Sequence, residues 1–243
     1  MKQYGLIGYP LSHSFSKGYF AEKFLKENIT DANYDVFPLE KIDDFTALYQ
    51  NKENLIGLNV TIPYKQQVIP FLDELDETSA NIGAVNTVKF TQGKRIGYNT
   101  DAYGFEMSLK PMLQSHHTNA LILGTGGASK AVEYVLKKLG ISFQYVSRNK
   151  SDHTISYEQL DEFIIHNSKL IINSTPIGMY PNVDVAPNIP YNAISEKHLL
   201  YDLVYNPEET LFLKKGKEKG AQTKNGLEML YLQAERSWEI WNI

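Results

Sequence analysis

Asn59, Thr61 and Lys65 fall within seven residues and form a set able to hydrogen-bond a polyhydroxylated small molecule. They close an apolar run, Leu55-Ile56-Gly57-Leu58, that reads as a buried strand, and Pro63, which has no N–H, ends the ladder. A turn at the carboxyl end of a strand is where open α/β sheets hold their ligands. A plain strand end with a solvated lysine is the competing reading, and this stretch by itself leaves both open.

A second group is Gly124-Thr125-Gly126-Gly127-Ala128-Ser129. It follows the strand-like run Ala120-Leu121-Ile122-Leu123 and leads into a helix with Ala128, Ala131, Val132, Val135, Leu136 and Leu139 on one face. Glycines at such a turn let backbone N–H groups approach a pyrophosphate, which the helix N-terminus also favours electrostatically. Ser129 stands where a glycine or alanine usually packs helix on sheet, so a purely structural glycine turn is the alternative. The next strand, Phe143-Gln144-Tyr145-Val146, ends in Ser147-Arg148-Asn149-Lys150, and residues 141–151 contain no acid to hold a ribose 2′-hydroxyl. Arg148 and Lys150 instead match the 2′-phosphate of NADP, the expected cofactor, while Asp152 keeps NAD open. Asp101 has two readings, a helix cap before Ala102-Tyr103-Gly104-Phe105 or a carboxylate turned into a cleft.

The elements that must position these groups alternate. Strands are expected at 3–7, 34–37 and 55–61, with helices over Tyr19–Leu25, at 42–49 and, shorter, at 65–71. The run 82–88 and Arg95–Tyr98 read as hairpin-like strands around a turn at Gln92-Gly93-Lys94. Ser14 or Ser16 caps the first helix in the simplest reading. Residues 111–118 look like a linker. Beyond it come a helix at 157–165, strands at 170–172 and 199–205, a lysine-rich helix at 208–219, a short strand at 220–223 and a final helix with Leu227, Leu230, Tyr231, Ala234, Trp238 and Trp241 on one side. This rhythm predicts α/β architecture with largely parallel sheets covered by helices.

The 243 residues, 42% of them apolar, suffice for one large domain or two ordinary ones. A net charge of −4 with basic residues spread along the chain points away from nucleic acid and polybasic membrane contact. The absence of cysteine removes disulfides, thiolate nucleophiles and cysteine-containing zinc sites. No apolar run approaches the roughly 18 residues of a membrane span, so a cytoplasmic protein acting on a small molecule is expected.

Taken in order, the motifs resemble those of the shikimate dehydrogenase family: Gly8-Tyr9-Pro10-Leu11-Ser12-His13-Ser14, Asn59 to Lys65, Gly83-Ala84-Val85-Asn86-Thr87, Gly97-Tyr98-Asn99-Thr100-Asp101, Gly124 to Ser129, Asn173-Ser174-Thr175-Pro176-Ile177-Gly178-Met179, Tyr201-Asp202-Leu203-Val204-Tyr205-Asn206-Pro207, and Asn225-Gly226-Leu227-Glu228-Met229-Leu230 with Gln233. The resemblance implies an N-terminal α/β catalytic domain with a mostly parallel sheet (residues 1–102 with 226–243) and a Rossmann-like NADP-binding domain (103–225), the active site lying between them. It implies reversible, NADP-dependent reduction of 3-dehydroshikimate to shikimate in aromatic amino acid (chorismate) biosynthesis, with no metal, by a monomer or homodimer. By similarity Lys65 and Asp101 are the catalytic pair, and Ser12, Ser14, Thr61, Asn86, Tyr205 and Gln233 face the substrate. The cofactor side takes Gly124, Gly126, Gly127, Ala128, Ser147, Arg148, Asn149, Lys150, Thr175 and Gly226. This chain departs from the family's usual Ser-Pro at Ser16-Lys17, Asp before Gly at Asn225, and Asn-Arg-Thr at Ser147-Arg148-Asn149. A quinate/shikimate dehydrogenase using NAD and a non-catalytic metabolite sensor are the alternatives.

Overall fold

The computed structural model describes residues 1–11, 15–148, 151 and 153–243. They gather into two compact units, Met1–Thr100 with Ala234–Ile243 and Asp101–Gln233.

The first unit carries β1 (Lys2–Gly8), α1 (Phe15–Lys26), β2 (Ala32–Pro38), α2 (Asp44–Gln50), β3 (Leu55–Val60), β4 (Glu74–Leu75), α3 (Glu77–Ile82), β5 (Thr87–Thr91) and β6 (Lys94–Tyr98). Its sheet runs β2-β1-β3-β5-β6-β4. The β1–β2, β1–β3 and β4–β6 pairs are parallel, whereas the β5–β6 hairpin joins β3 antiparallel, with Asn59 opposite Thr87. One face buries Ile7, Leu58, Val60, Val68, Val85 and Val88; the other buries Tyr4, Phe20, Phe24, Tyr34 and Trp241. Trp241, near the end of the last helix, lies directly over Gly57 and donates its indole N–H to the Val88 carbonyl at 3.0 Å. A Cβ at Gly57 would collide with the indole, so glycine here is what lets the last helix reach the sheet.

Two sequence expectations fail in this unit. Residues 65–71 form turns ending in a 3₁₀ turn at Ile69–Phe71, because Pro70 has no N–H to continue a helical ladder. The run 82–86 is not a strand. Ile82 ends α3, whose N-cap Asp76 accepts from the Ser79 N–H at 2.8 Å, and Gly83 at φ +67° closes the helix in the left-handed conformation.

The chain passes through α4 (Thr100–Leu109) into the second unit, built from β7 (Asn119–Leu123), α5 (Gly127–Lys138), β8 (Ser142–Ser147), β9 (Thr154–Ser156), α6 (Glu162–Asn167), β10 (Leu170–Asn173), β11 (Leu199–Asp202), α7 (Leu211–Lys217), β12 (Gln222–Lys224) and the start of α8 (Leu227–Asn242). The fully parallel sheet has the order β12-β11-β10-β7-β8-β9. Numbered within the unit this is 3-2-1-4-5-6 read from its other edge, the doubly wound order. The central strands β7, β10 and β11 are short, mostly apolar and buried, whereas β8, β9 and β12 carry more polar residues. The strand order reverses between β7 and β10, so the carboxyl ends of those two strands flank the crevice. The expected helix at 157–165 is a 3₁₀ turn, Tyr157–Gln159, followed by α6, and the strand at 199–205 stops at Asp202.

Candidate active site

Of the residues expected on the cofactor side, Gly124, Gly126, Ser147, Arg148 and Thr175 meet at that crevice. A cleft of about 530 Å³ is lined by Gly124, Thr125, Gly126, Ser147, Arg148, Tyr157, Ser174, Thr175, Pro176 and Ile177. Strand ends supply most of the lining: Gly124 follows β7, Ser147 ends β8 and Arg148 follows it, Tyr157 follows β9, and Ser174 and Thr175 follow β10.

Gly124 sits at φ +101°, a conformation that favours glycine, and a Cβ there would meet Thr175 Cγ2 at 2.7 Å and Ser174 Oγ at 3.1 Å. At Gly126 and Gly127 a Cβ would meet nothing within 4 Å, so the missing side chains leave room in front of the first turn of α5. Ser129, in place of the usual small packing residue, is buried and donates its hydroxyl to the Gly126 carbonyl at 2.6 Å. A polar group is thereby accommodated under the helix without being left unpaired.

The donor set suits a phosphorylated dinucleotide. Open space before a helix N-terminus accepts a pyrophosphate, and the Arg148 guanidinium offers a planar fork to a further phosphate. Gly126→Ala, at φ −77° and ψ −179°, is expected to leave thermal stability unchanged while weakening dinucleotide binding by filling the cradle. Wild-type affinity in that variant, read by calorimetry, would contradict the placement.

Tyr157 went unrecognised in the sequence, where it reads as the start of a helix. Its signal is the Ser156-Tyr157-Glu158-Gln159 capping box directly after a strand. The ring lines the cleft, while the hydroxyl is buried with no hydrogen-bond partner among the described residues, and burial raises its pKa against the pull of Arg148. An unpaired buried hydroxyl is a cost, so Tyr157→Phe should match or exceed wild-type stability by up to about 1 kcal/mol in urea unfolding. A clear loss of stability would show that the hydroxyl has a structural partner.

In the first unit Thr61, Lys65 and Asn86 come to the carboxyl end of β3. The Thr61 N–H donates to the Ile7 carbonyl at 2.9 Å, the Val60 N–H to the Asn86 carbonyl at 2.8 Å, and the Val85 N–H to the Lys65 carbonyl at 2.7 Å. The Ile62–Pro63 peptide between them is cis. Asn86 is buried and uses its amide locally: Oδ1 accepts the Thr100 N–H at 2.7 Å, and Nδ2 donates to Thr100 Oγ1 at 2.9 Å. Asn86 therefore supports the first turn of α4, a contact fourteen residues away in sequence. Asn59 is buried too, accepting from the Tyr34 hydroxyl at 2.8 Å and donating to Ser237 Oγ at 3.0 Å, so it holds the sheet to the last helix.

Asp101 lies buried in the first turn of α4, in the second unit. Gln233 is buried, with Nε2 donating to the Leu230 carbonyl at 2.9 Å, and Tyr205 is partly exposed. Gly226 packs against the Leu203 carbonyl so closely that no Cβ fits. Ala128 sits in the first turn of α5. Ser12, Ser14, Asn149 and Lys150 lie outside the described residues. Among the described residues no group of His, Cys, Asp and Glu could hold a metal ion, and no helix is long and apolar enough to cross a membrane.

Residues 6–88 match the family model described as the shikimate dehydrogenase substrate binding domain. A shikimate dehydrogenase (NADP(+)) of Methanococcus maripaludis is 42% identical over 99% of this chain and 91% of its own length. One of Methanosphaera stadtmanae is 38% identical over 98% of this chain and 90% of that relative. The chain belongs to the shikimate dehydrogenase family. Among solved structures, the shikimate dehydrogenase of Aquifex aeolicus superposes with a TM-score of 0.88 at 34% identity, covering all of this chain and 92% of that one.

Proposed function

We propose that this protein is an NADP-dependent shikimate dehydrogenase, an oxidoreductase that reversibly reduces 3-dehydroshikimate to shikimate in the chorismate pathway. The observation that carries the reading is the β7–β10 cleft, where a glycine turn and Arg148 stand on a chain that is a family member over nearly its whole length. Residues 103–225 are assigned to the cofactor, with Gly124, Gly126, Gly127 and Ala128 at the pyrophosphate. Ser147, Arg148, Asn149 and Lys150 take the adenosine end, and Thr175 and Gly226 the nicotinamide end. Residues 1–102 with 226–243 are assigned to the substrate, whose carboxylate and hydroxyls Ser12, Ser14, Thr61, Asn86, Tyr205 and Gln233 bind and orient.

When bound, NADP supplies the hydride on reduction and accepts it on oxidation. The protein's own work is to orient the reacting carbon and to manage one proton at its oxygen. Lys65 stabilises negative charge developing on the carbonyl oxygen and donates the proton there; in the reverse direction it takes the proton from the hydroxyl. Asp101 orients the ammonium or relays the proton. The partner is a small molecule, a monomer or homodimer suffices, and the working compartment is the cytoplasm.

The test is selectivity. With purified protein, kcat/KM should be greatest for shikimate with NADP⁺. A preference for quinate or for NAD⁺ would shift the reading to a quinate/shikimate dehydrogenase, and saturable binding of the metabolite without turnover would make the chain a sensor.

A further inference from the structure

Asp202 ends β11 with no solvent exposure. It is not part of the cleft lining, yet the lining depends on it. Its Oδ1 accepts from Asn173 Nδ2 at 3.0 Å and from the Val204 N–H at 3.0 Å, and its Oδ2 accepts from the Thr210 hydroxyl at 2.6 Å. Asn173, itself fully buried, passes the constraint on. Its Oδ1 accepts from the Thr175 N–H at 3.1 Å and the Thr175 hydroxyl at 2.6 Å, and its Nδ2 also reaches the Ile177 carbonyl at 3.2 Å. On the other side, the Leu203 N–H donates to the Asn173 carbonyl at 2.9 Å and the Gly226 N–H to the Val204 carbonyl at 3.1 Å. One carboxylate thus stands between the Thr175 turn, which lines the cleft, and Gly226.

We propose that the Asp202 carboxylate is a positioning residue for the NADP cleft, its negative charge locking the Asn173–Ile177 turn and the Leu203–Gly226 contact into the cofactor-binding arrangement. The inference rests on the reading of that cleft as a dinucleotide site. The groups facing Asp202 are neutral donors: Asn173 from β10, Thr210 at the start of α7 and the Val204 N–H. The nearby titratable group is Tyr191, whose pKa is raised by burial first and by the Asp202 charge second, and whose hydroxyl donates to the Pro187 carbonyl at 2.9 Å. The charges on the packed elements are engaged elsewhere or point outward. Lys217 pairs with Glu209, Lys224 with Glu228, Lys215 lies over the Tyr191 ring, and Lys214 is exposed.

Burial pushes the Asp202 carboxyl up to about 6, although Thr210, Val204 and Asn173 each pull it down. The sign is unfavourable for the fold. The unfolded carboxyl ionises near pH 4 while the folded one still holds its proton, so this residue's contribution to stability falls as pH rises from about 4 to about 6. A buried charge kept at a cost to stability needs another use, and three donors converging on the ionised form supply one. Protonation puts a hydrogen among those donors. Asparagine does the same, turning an N–H₂ toward Thr210, whose hydroxyl already caps the Leu213 N–H and would lose its acceptor.

The experiment measures dissociation constants for NADP and NAD by calorimetry, wild type against Asp202→Asn, from about pH 5.5 to pH 8. NAD is included because it lacks the 2′-phosphate, which itself titrates in this range. Wild-type affinity for both cofactors should weaken as pH falls through about 6, and Asp202→Asn should bind both on the order of tenfold more weakly at neutral pH. The variant's NAD affinity should not change with pH, which a merely structural role would not give. Wild-type affinity in the variant, or parallel pH profiles, overturns the proposal. If the variant does not fold, the wild-type NAD profile decides, a flat one being contrary. Wild-type protein that binds neither cofactor at neutral pH refutes the dinucleotide reading itself.

Discussion

Lys65→Ala should lower kcat by about 10²–10⁴ while changing KM for shikimate only a few-fold, the range typical of losing a positioned general acid–base group. The lysine stands after the cis Ile62–Pro63 turn at the carboxyl end of β3, with its backbone carbonyl held by the Val85 N–H. Truncation leaves that backbone bond in place. Stability by thermal unfolding should therefore match wild type. A variant with near-wild-type kcat would remove Lys65 from the mechanism, and one with a raised KM and unchanged kcat would make it a substrate ligand only.

Arg148→Ala should weaken NADP binding by on the order of a hundredfold and NAD binding by less than about threefold, since removing one partner of a charge-assisted pair costs roughly 2–5 kcal/mol. Arg148 directly follows β8 and lines the cleft with Tyr157, at the side away from the Thr175 turn in strand order. Residues 141–148 carry no acid that would favour a free 2′-hydroxyl. Equal losses for the two cofactors, measured by calorimetry, would place the guanidinium on the pyrophosphate or adenine rather than on the 2′-phosphate.

The parts legible in the sequence were those fixed by local pattern. The β7 run, the glycine turn and the apolar face of α5 are contiguous, and each requires the next. The hairpin of β5 and β6 followed from the turn at Gln92-Gly93, whose residues both take positive φ. Failures came where local signals compete. Ile82-Gly83-Ala84-Val85 looks like a strand by composition, but the cap at Asp76 makes a helix end there. At Asp101 the cap reading placed the cap at the helix's own start, whereas Asn86 supplies an acceptor to the Thr100 N–H from across the sheet. The Asp202–Asn173–Thr175 chain was hidden for the same reason, since its members lie on neighbouring strands 29 residues apart. Motif order located the chemistry; the buried polar links that shape it appear only once the strands are paired.

The most direct test of the account is oxidation of shikimate by the purified chain with NADP⁺, followed by the absorbance of the reduced nicotinamide. Steady turnover is expected, saturating in both reactants and falling with Lys65→Ala. No turnover with shikimate under any combination of NADP⁺ and NAD⁺, from protein that is folded and binds NADP, would contradict it.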